Sequence, residues 1–284
     1  MDIIRSVSEM RQWASSVRVA GQSISFVPTM GFLHQGHLSL LKEGRKRGDL
    51  LVLSIFVNPT QFGQGEDFAE YPRDLQQDCE IAQQAGVDII FAPEAKDMYP
   101  NGYATCVAVE GITETLCGRS RPGHFRGVCT VVSKLFNIIQ PQTAIFGHKD
   151  FQQLAVIKRL TLDMNMPVDI FGMPIFRETD GLAMSSRNVY LSADQRRQAL
   201  VLSQSLTQAK ELVKAGETDC ANIIFRLKKY IGQQPDARID YVQICHQLTL
   251  EDQSQVDKDS VLLLAVYFGK TRLIDNDFLA ANHD

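Results

Sequence analysis

The sequence has little of what marks secreted, membrane-spanning or nucleic-acid-binding chains. Its six cysteines (Cys79, Cys106, Cys117, Cys129, Cys220 and Cys245) include no C-x-x-C pair. They are scattered, with Cys129 and Cys245 inside apolar segments, and they read as buried reduced thiols suited to a reducing cytoplasm. The longest apolar runs, Leu50–Val57 and Val261–Phe268, are too short to cross a bilayer, so no membrane partner is expected. The first residues, Met1-Asp2-Ile3-Ile4-Arg5-Ser6, lack the basic-then-apolar order of a secretion signal. A formal net charge of −4 argues against a general nucleic-acid binder, which is usually basic, but it leaves room for a local anion site. There is no repeat and no low-complexity linker, and Trp13, the single tryptophan, carries no functional signal.

What is present is a long, ordinary globular composition. With 284 residues, 44% hydrophobic and 22% charged, the chain has material for a substantial core and two domains. Five β-rich apolar runs, Ile24–Val27, Leu50–Val57, Val87–Phe91, Thr143–Phe146 and Val168–Met173, alternate with helix-like segments Leu38–Arg47, Leu75–Ala85, Val128–Ile139 and Gln152–Met164. Continuous apolar runs suit strands buried on both faces, and this alternation predicts a doubly wound parallel sheet, an α/β domain. After about residue 188 the pattern changes. Ser192-Ala193-Asp194-Gln195 reads as a capping box opening a long helix toward Ala215, and Thr218–Ile231 reads as a second helix. Arg238–Cys245 and Val261–Phe268 alternate as strands, and Gly269-Lys270 can turn the latter into Thr271–Ile274. The expectation is a Rossmann-like domain over residues 1–176, followed by a small α+β domain with an antiparallel sheet over 177–284.

The most informative segment is Phe26–His37. A strand stops at Pro28, a glycine-bearing loop follows, and His34 and His37 arrive at the first turn of a helix. Helix N-termini favour anions, and Gly36 lets a phosphate or base approach the backbone. Nucleotide phosphates are therefore expected there. Surface histidines at a helix start are the plain alternative. A zinc site lacks further ligands at metal spacing.

Every other unusual polar segment also follows a strand, where ligands bind in open α/β sheets. Asn58-Pro59-Thr60-Gln61 is either a turn or a turn carrying a substrate-fixing amide at Gln61. Gly147-His148-Lys149-Asp150 is either a solvated ion pair or Lys149 on a phosphate with Asp150 on Mg²⁺ or a ribose hydroxyl. Met184-Ser185-Ser186-Arg187 offers two hydroxyls and a guanidinium for polyphosphate oxygens, in a loop that could close over a nucleotide. Arg119–Gly127 is a basic stretch at a helix start, a charge run or an anion gate.

Taken together, these residues resemble the pantoate–β-alanine ligase family, within the nucleotidyltransferases that carry an H-x-G-H signature. The resemblance rests on P-T-M-G-x-L-H-x-G-H (Pro28–His37), V-N-P-x-Q-F (Val57–Phe62), the stretch from Gly65-Glu66-Asp67 to Tyr71-Pro72-Arg73, G-x-K-D-x-Q-Q (Gly147–Gln153) and D-G-L-A-x-S-S-R-N (Asp180–Asn188). It implies an ATP-dependent ligase in which pantoate's carboxylate attacks the α-phosphate of ATP. The amine of β-alanine then attacks the pantoyl-adenylate. It also implies Mg²⁺ with the ATP and a homodimer.

By the same resemblance His37, His34 and Lys149 are catalytic. Met30, Gly31, Phe32, Leu33, His34, Gln35, Gly36 and His37 line the ATP site with Gly147, His148, Lys149, Asp150, Phe176, Met184, Ser185, Ser186 and Arg187. Gln61 and Gln153 hold pantoate, with Gln61 also near β-alanine; Asn58 joins the substrate-binding set, Tyr71 and Arg121 lie at the substrate mouth, and Asp150 is the metal candidate. His148 stands where many relatives carry glutamate, and Phe176 where a small aliphatic is usual; main-chain contacts would tolerate both. Two other classes predict different residues. A transferase with a phosphorylated acceptor would need more cations, and a non-catalytic sensor would have lost the histidines or Lys149.

Overall fold

Ile24-Ser25-Phe26-Val27 and Leu51-Val52-Leu53-Ser54 are buried throughout, as strands covered on both faces must be. They lie at the centre of a six-stranded sheet in the computed structural model, which describes residues 1–280. By contacts the chain falls into two units, 1–147 with 156–174, and 148–155 with 175–284. Residues 148–155, counted with the first domain on sequence, thus group with the second.

The first unit runs β1 (Asp2–Ile4), α1 (Val7–Val19), β2 (Ile24–Thr29), α2 (Gln35–Arg45), β3 (Leu50–Ile55), α3 (Leu75–Gln84), β4 (Ile89–Phe91), α4 (Ala95–Met98), α5 (Leu116–Ser120), α6 (His124–Ile139) and β5 (Thr143–Gly147). Next comes α7 (Phe151–Asp163), whose residues 151–155 belong to the second unit, and then β6 (Asp169–Met173). The sheet order is β1-β4-β3-β2-β5-β6, with every pairing parallel. From β2 the chain winds outward through β3 and β4, then restarts on the other side of β2 with β5 and β6. The order reverses between β2 and β5, the topological switch point where such sheets bind ligands. Helix α2 covers the sheet through Leu41, which joins Val27, Leu51, Leu53, Ile90 and Ile145 in one buried cluster. Each such side chain contributes about 1.5–3 kcal/mol by leaving water.

The second unit holds α8 (Ala193–Ala199), α9 (Val201–Lys214), α10 (Cys220–Ile231), β7 (Ala237–His246), β8 (Ser260–Phe268) and β9 (Thr271–Phe278). The predicted capping box is present at Ser192 and Gln195. The long helix expected from it is interrupted at Leu200, which keeps right-handed dihedrals of −60° and −21°. Strands β7, β8 and β9 form an antiparallel sheet, and Phe268 pairs with Thr271 across the Gly269-Lys270 turn. Leu202, Leu206, Ile223 and Leu227 of the helices pack with Val242, Leu262 and Leu264 of the sheet. The fold is therefore α/β, a Rossmann-like parallel sheet followed by a small α+β unit. All six cysteines are unpaired. Burial pushes the thiols of Cys129 and Cys220 up to about 11 and that of Cys245 to about 12, which keeps them protonated and unreactive.

Candidate functional site

In the first unit the loop after β2 is pinned at both ends. The Thr29 hydroxyl donates to the Ser54 carbonyl at 2.7 Å and accepts from the Gly31 N–H at 3.2 Å. Gly31 and Phe32 both adopt left-handed φ, +82° and +51°, a region that costs a non-glycine residue about 1 kcal/mol or more. The turn wraps around Asp78 of α3, which accepts from the Phe32 and Leu33 N–H groups at 3.0 and 2.6 Å. Asp78 is 1% exposed. Burial pushes its carboxyl up, and the two N–H groups oppose that shift. Leu33 then enters the core, so it offers a ligand its backbone rather than its side chain.

The two histidines form a reciprocal cap on α2. His34 is the N-cap, and its Nδ1 accepts from the Gly36 N–H at 3.1 Å. His37 Nδ1 accepts from the His34 N–H at 3.3 Å. A backbone N–H can only donate, so each neutral ring carries its proton on Nε2. The ring centroids are 4.0 Å apart. The pair therefore presents Nε2–H donors beside the positive end of a helix, an arrangement that suits phosphate oxygens.

Gln61 lies on the short turn Pro59–Gln61 after β3. Its Nε2 donates to Met30 Sδ at 2.9 Å, and its Oε1 accepts from Asn58 Nδ2 at 3.2 Å. The structure thus joins the β2 and β3 loops within one unit. Asn58 is 1% exposed. Its amide also donates to the Gly127 carbonyl, while Oδ1 accepts from Tyr99, the Thr60 hydroxyl and the Thr60 N–H. With both ends occupied by protein groups, Asn58 positions Gln61. Gly127 of α6 rests directly on this turn, since a Cβ there would sit 2.3 Å from the Thr60 carbonyl oxygen.

The basic stretch at the start of α6 is an organised network. Arg121 makes two 2.7 Å hydrogen bonds to Glu66, through Nε to Oε1 and through Nη2 to Oε2. Burial alone would raise the Glu66 carboxyl, but Arg121 outweighs it and holds it at about 2. His124 Nδ1 donates to the Gln61 carbonyl at 2.8 Å. Its Nε2 therefore accepts from Arg121 Nη1 at 3.1 Å. Arg121 also reaches the Gln61 carbonyl at 3.4 Å. Tyr71 is buried and packs edge-on against Phe62.

The second unit holds the other candidates. His148-Lys149-Asp150 is a single tight turn, with Lys149 Nζ 3.7 Å from Asp150 Oδ2. Asn276 on β9 donates to the carbonyls of His148 and Lys149 at 2.9 and 3.0 Å. The His148 ring meets Phe151 and Phe278 edge-on, so that side chain serves packing. Gln152 is buried and Gln153 half-buried. The Phe176 ring is exposed, and its carbonyl accepts from the Met184 N–H at 3.0 Å. Ser185 caps the turn Ser186–Tyr190 by accepting from the Arg187 N–H, and Ser186 is buried. Arg177 grips Asp275 in a bidentate pair at 2.7 and 2.9 Å and also donates to the Gly181 carbonyl.

Sequence reasoning missed Asp78, Asp275 and Asn276, and it reached His124 only as part of the Arg119–Gly127 stretch. Asp78 left one trace: it shares a helical face with Ala82 and Ala85, where a charged residue is out of place unless something binds it.

A family model for pantoate–β-alanine ligase matches residues 2–278. The chain is 58% identical over 279 residues to the pantothenate synthetase of Syntrophotalea carbinolica, covering 98% of this chain and 99% of that one. It is 55% identical to the enzyme of Syntrophus aciditrophicus, with 97% and 96% covered. A crystal structure of pantothenate synthetase from Thermus thermophilus superposes with a TM-score of 0.93 at 44% identity, covering 98% and 99%. The ligase of Francisella tularensis, crystallised with a β,γ-ATP compound and β-alanine, gives 0.81 at 34% identity with 98% of each chain covered. The chain belongs to the pantoate–β-alanine ligase family.

Proposed function

We propose that this chain condenses pantoate with β-alanine to pantothenate at the expense of ATP, releasing pyrophosphate and then AMP through a pantoyl-adenylate. The observation that carries the reading is the reciprocal imidazole cap, two Nε2–H donors fixed at the start of α2. A carboxylate nucleophile is already ionised, so the first step needs no general base. It needs positioning, and donors aimed at the charge that builds on the departing phosphates. His34 and His37 supply those donors, with the backbone of Met30–His37 around them. Lys149, Ser185, Ser186 and Arg187 add charge and hydroxyls for the triphosphate. Gly147, His148 and Phe176 contribute through the main chain. Gln61 and Gln153 hold pantoate, and the Asn58, Arg121 and Tyr71 framework keeps Gln61 in place.

Mg²⁺ fits the donor set. A phosphate-bridged Mg²⁺ needs only one or two carboxylates from the protein, and the Asp150 side chain is half exposed beside Lys149. When bound with ATP, the ion would neutralise phosphate charge and orient the chain of phosphates. We further propose that the enzyme works as a homodimer in the cytoplasm. Light scattering giving a monomer mass, or thiol titration of the denatured protein finding fewer than six free thiols, would count against those two assignments.

The test incubates the pure protein with ATP, Mg²⁺ and pantoate, with and without β-alanine. AMP and pantothenate are expected only when both acids are present. ADP as product, or turnover indifferent to β-alanine, overturns the reading. Replacing His37 by alanine should lower pantoate-dependent exchange of pyrophosphate into ATP by about 10²-fold or more.

A further inference from the structure

The loop that carries the histidines is held by a group with no obvious reason to be charged. Asp78 sits on the buried face of α3 among Ala82 and the core, and a buried carboxylate is costly unless it is fully hydrogen-bonded. Its two oxygens accept from two successive peptides, Phe32 and Leu33. An asparagine could satisfy only one of them and would set its NH₂ against the other. A hydrophobic residue would strand both N–H groups. The carboxylate therefore fixes the planes of two neighbouring peptides at once.

Three restraints meet at that point. Phe32 is held at φ +51° without being glycine, and its strain is offset by the bond to Asp78. Gly31 has a clearance of 2.9 Å from Asp78 Oδ2 to the place a Cβ would occupy, so the carboxylate approaches as closely as a glycine permits. Leu33, immediately after, is plugged into the core. The next residue is His34, the N-cap whose ring and backbone are locked to Gly36 and His37.

We infer that Asp78 is a positioning residue for the adenylation step, setting the Gly31–Leu33 backbone so that His34 and His37 present their Nε2–H groups in a fixed orientation. The inference rests on the adenylate-forming reading given above. Asp78 touches no substrate in this role. The pyrophosphate that the histidines stabilise departs in the first step, so that step carries the dependence and β-alanine capture of a preformed pantoyl-adenylate carries much less of it.

The experiment uses the full chain with Asp78→Asn and measures two rates and one spectrum. Wild-type pyrophosphate–ATP exchange is the control for the parent reading: without it, adenylation fails irrespective of Asp78. With it, Asp78→Asn should lower exchange by at least about tenfold, while reaction of supplied pantoyl-adenylate with β-alanine stays within about threefold. Long-range ¹H–¹⁵N spectra should show the His34 and His37 ring nitrogens leaving a fixed Nε2–H pattern for an averaged one. Both rates falling in parallel, or histidine signals unchanged with exchange intact, overturns the inference. If Asp78→Asn does not fold, Asp78→Glu decides on the same two rates, because it keeps the two acceptor oxygens but moves them by one methylene away from the Phe32 and Leu33 N–H groups.

Discussion

Replacing Glu66 by glutamine tests whether the Arg121 network is held by charge or by shape. The change keeps the side chain's size but removes the carboxylate that accepts two 2.7 Å bonds from Arg121. In the folded protein that carboxyl is held at about 2 against a reference of 4.5, with burial opposing and Arg121 dominating. That gap corresponds to about 3 kcal/mol. Partial solvent exposure of both side chains, 24% for Glu66 and 17% for Arg121, screens the pair and brings the expected contribution to about 1–2 kcal/mol.

Because the folded value is depressed, this stability is fully present above pH 4.5 and is lost as pH falls toward 2. At pH 7, Glu66→Gln should therefore lower the urea midpoint by about 0.5 M, for an m of about 3 kcal/mol/M. By pH 3 the difference should shrink to less than half, and below pH 2 it should vanish. Pantoate KM should rise in step, because Arg121 also steadies the Gln61 carbonyl. An equal shift at pH 7 and pH 2 would show that packing, not the ion pair, holds the network.

Asn58→Ala strands Gln61 Oε1 in the interior and leaves the Tyr99 hydroxyl with the Thr60 hydroxyl alone, so a loss of about 1–3 kcal/mol is expected in chemical denaturation; a pantoate KM that stays at wild type would remove Asn58 from positioning Gln61. Gly127→Ala forces a Cβ onto the Thr60 carbonyl and should cost about 1–3 kcal/mol while raising pantoate KM; wild-type stability would mean that α6 can move away freely. Arg177→Met leaves Asp275 buried without its cation and should cost about 3–5 kcal/mol by thermal melting. The double variant Arg177→Met/Asp275→Leu should regain most of that loss, and failure to recover would point to the Gly181 contact instead.

Much of the scaffold was legible because strands buried on both faces leave unbroken apolar runs. Ile24–Val27 and Leu50–Val57 show this, and each ends within two residues of its strand. The small edge strand Asp2–Ile4 was not legible, since three residues carry too little pattern. Helix α1 exposes most of its surface and buries only Met10, Ala14 and Val17, a faint stripe. The sequence pattern ends strand β9 at Ile274, yet the strand continues through Asp275, Asn276 and Asp277 to Phe278. Those polar residues look like a loop until Arg177 and the His148–Lys149 carbonyls are seen to engage them.

The site followed the same division. Residues that present chemistry, such as His34, His37 and Gln61, stood out because their types are unusual after a strand. Residues that only hold others, such as Asp78 and Asn276, did not, because their partners are distant in sequence. The motif gave the two histidines, but not their tautomers, which depend on backbone N–H groups that only the folded helix cap defines.

The assignment of residues 148–155 to the second unit limits how this chain can be divided as a gene. A fragment begun at residue 175 would carry Asn276 and Phe278 but lack the His148 and Lys149 carbonyls and the Phe151 ring that they engage. A fragment ended at residue 174 would keep that octapeptide without its supports. The second unit is thus assembled from two separated stretches of chain, and a split or domain-swapped version must carry residues 148–155 with the C-terminal piece.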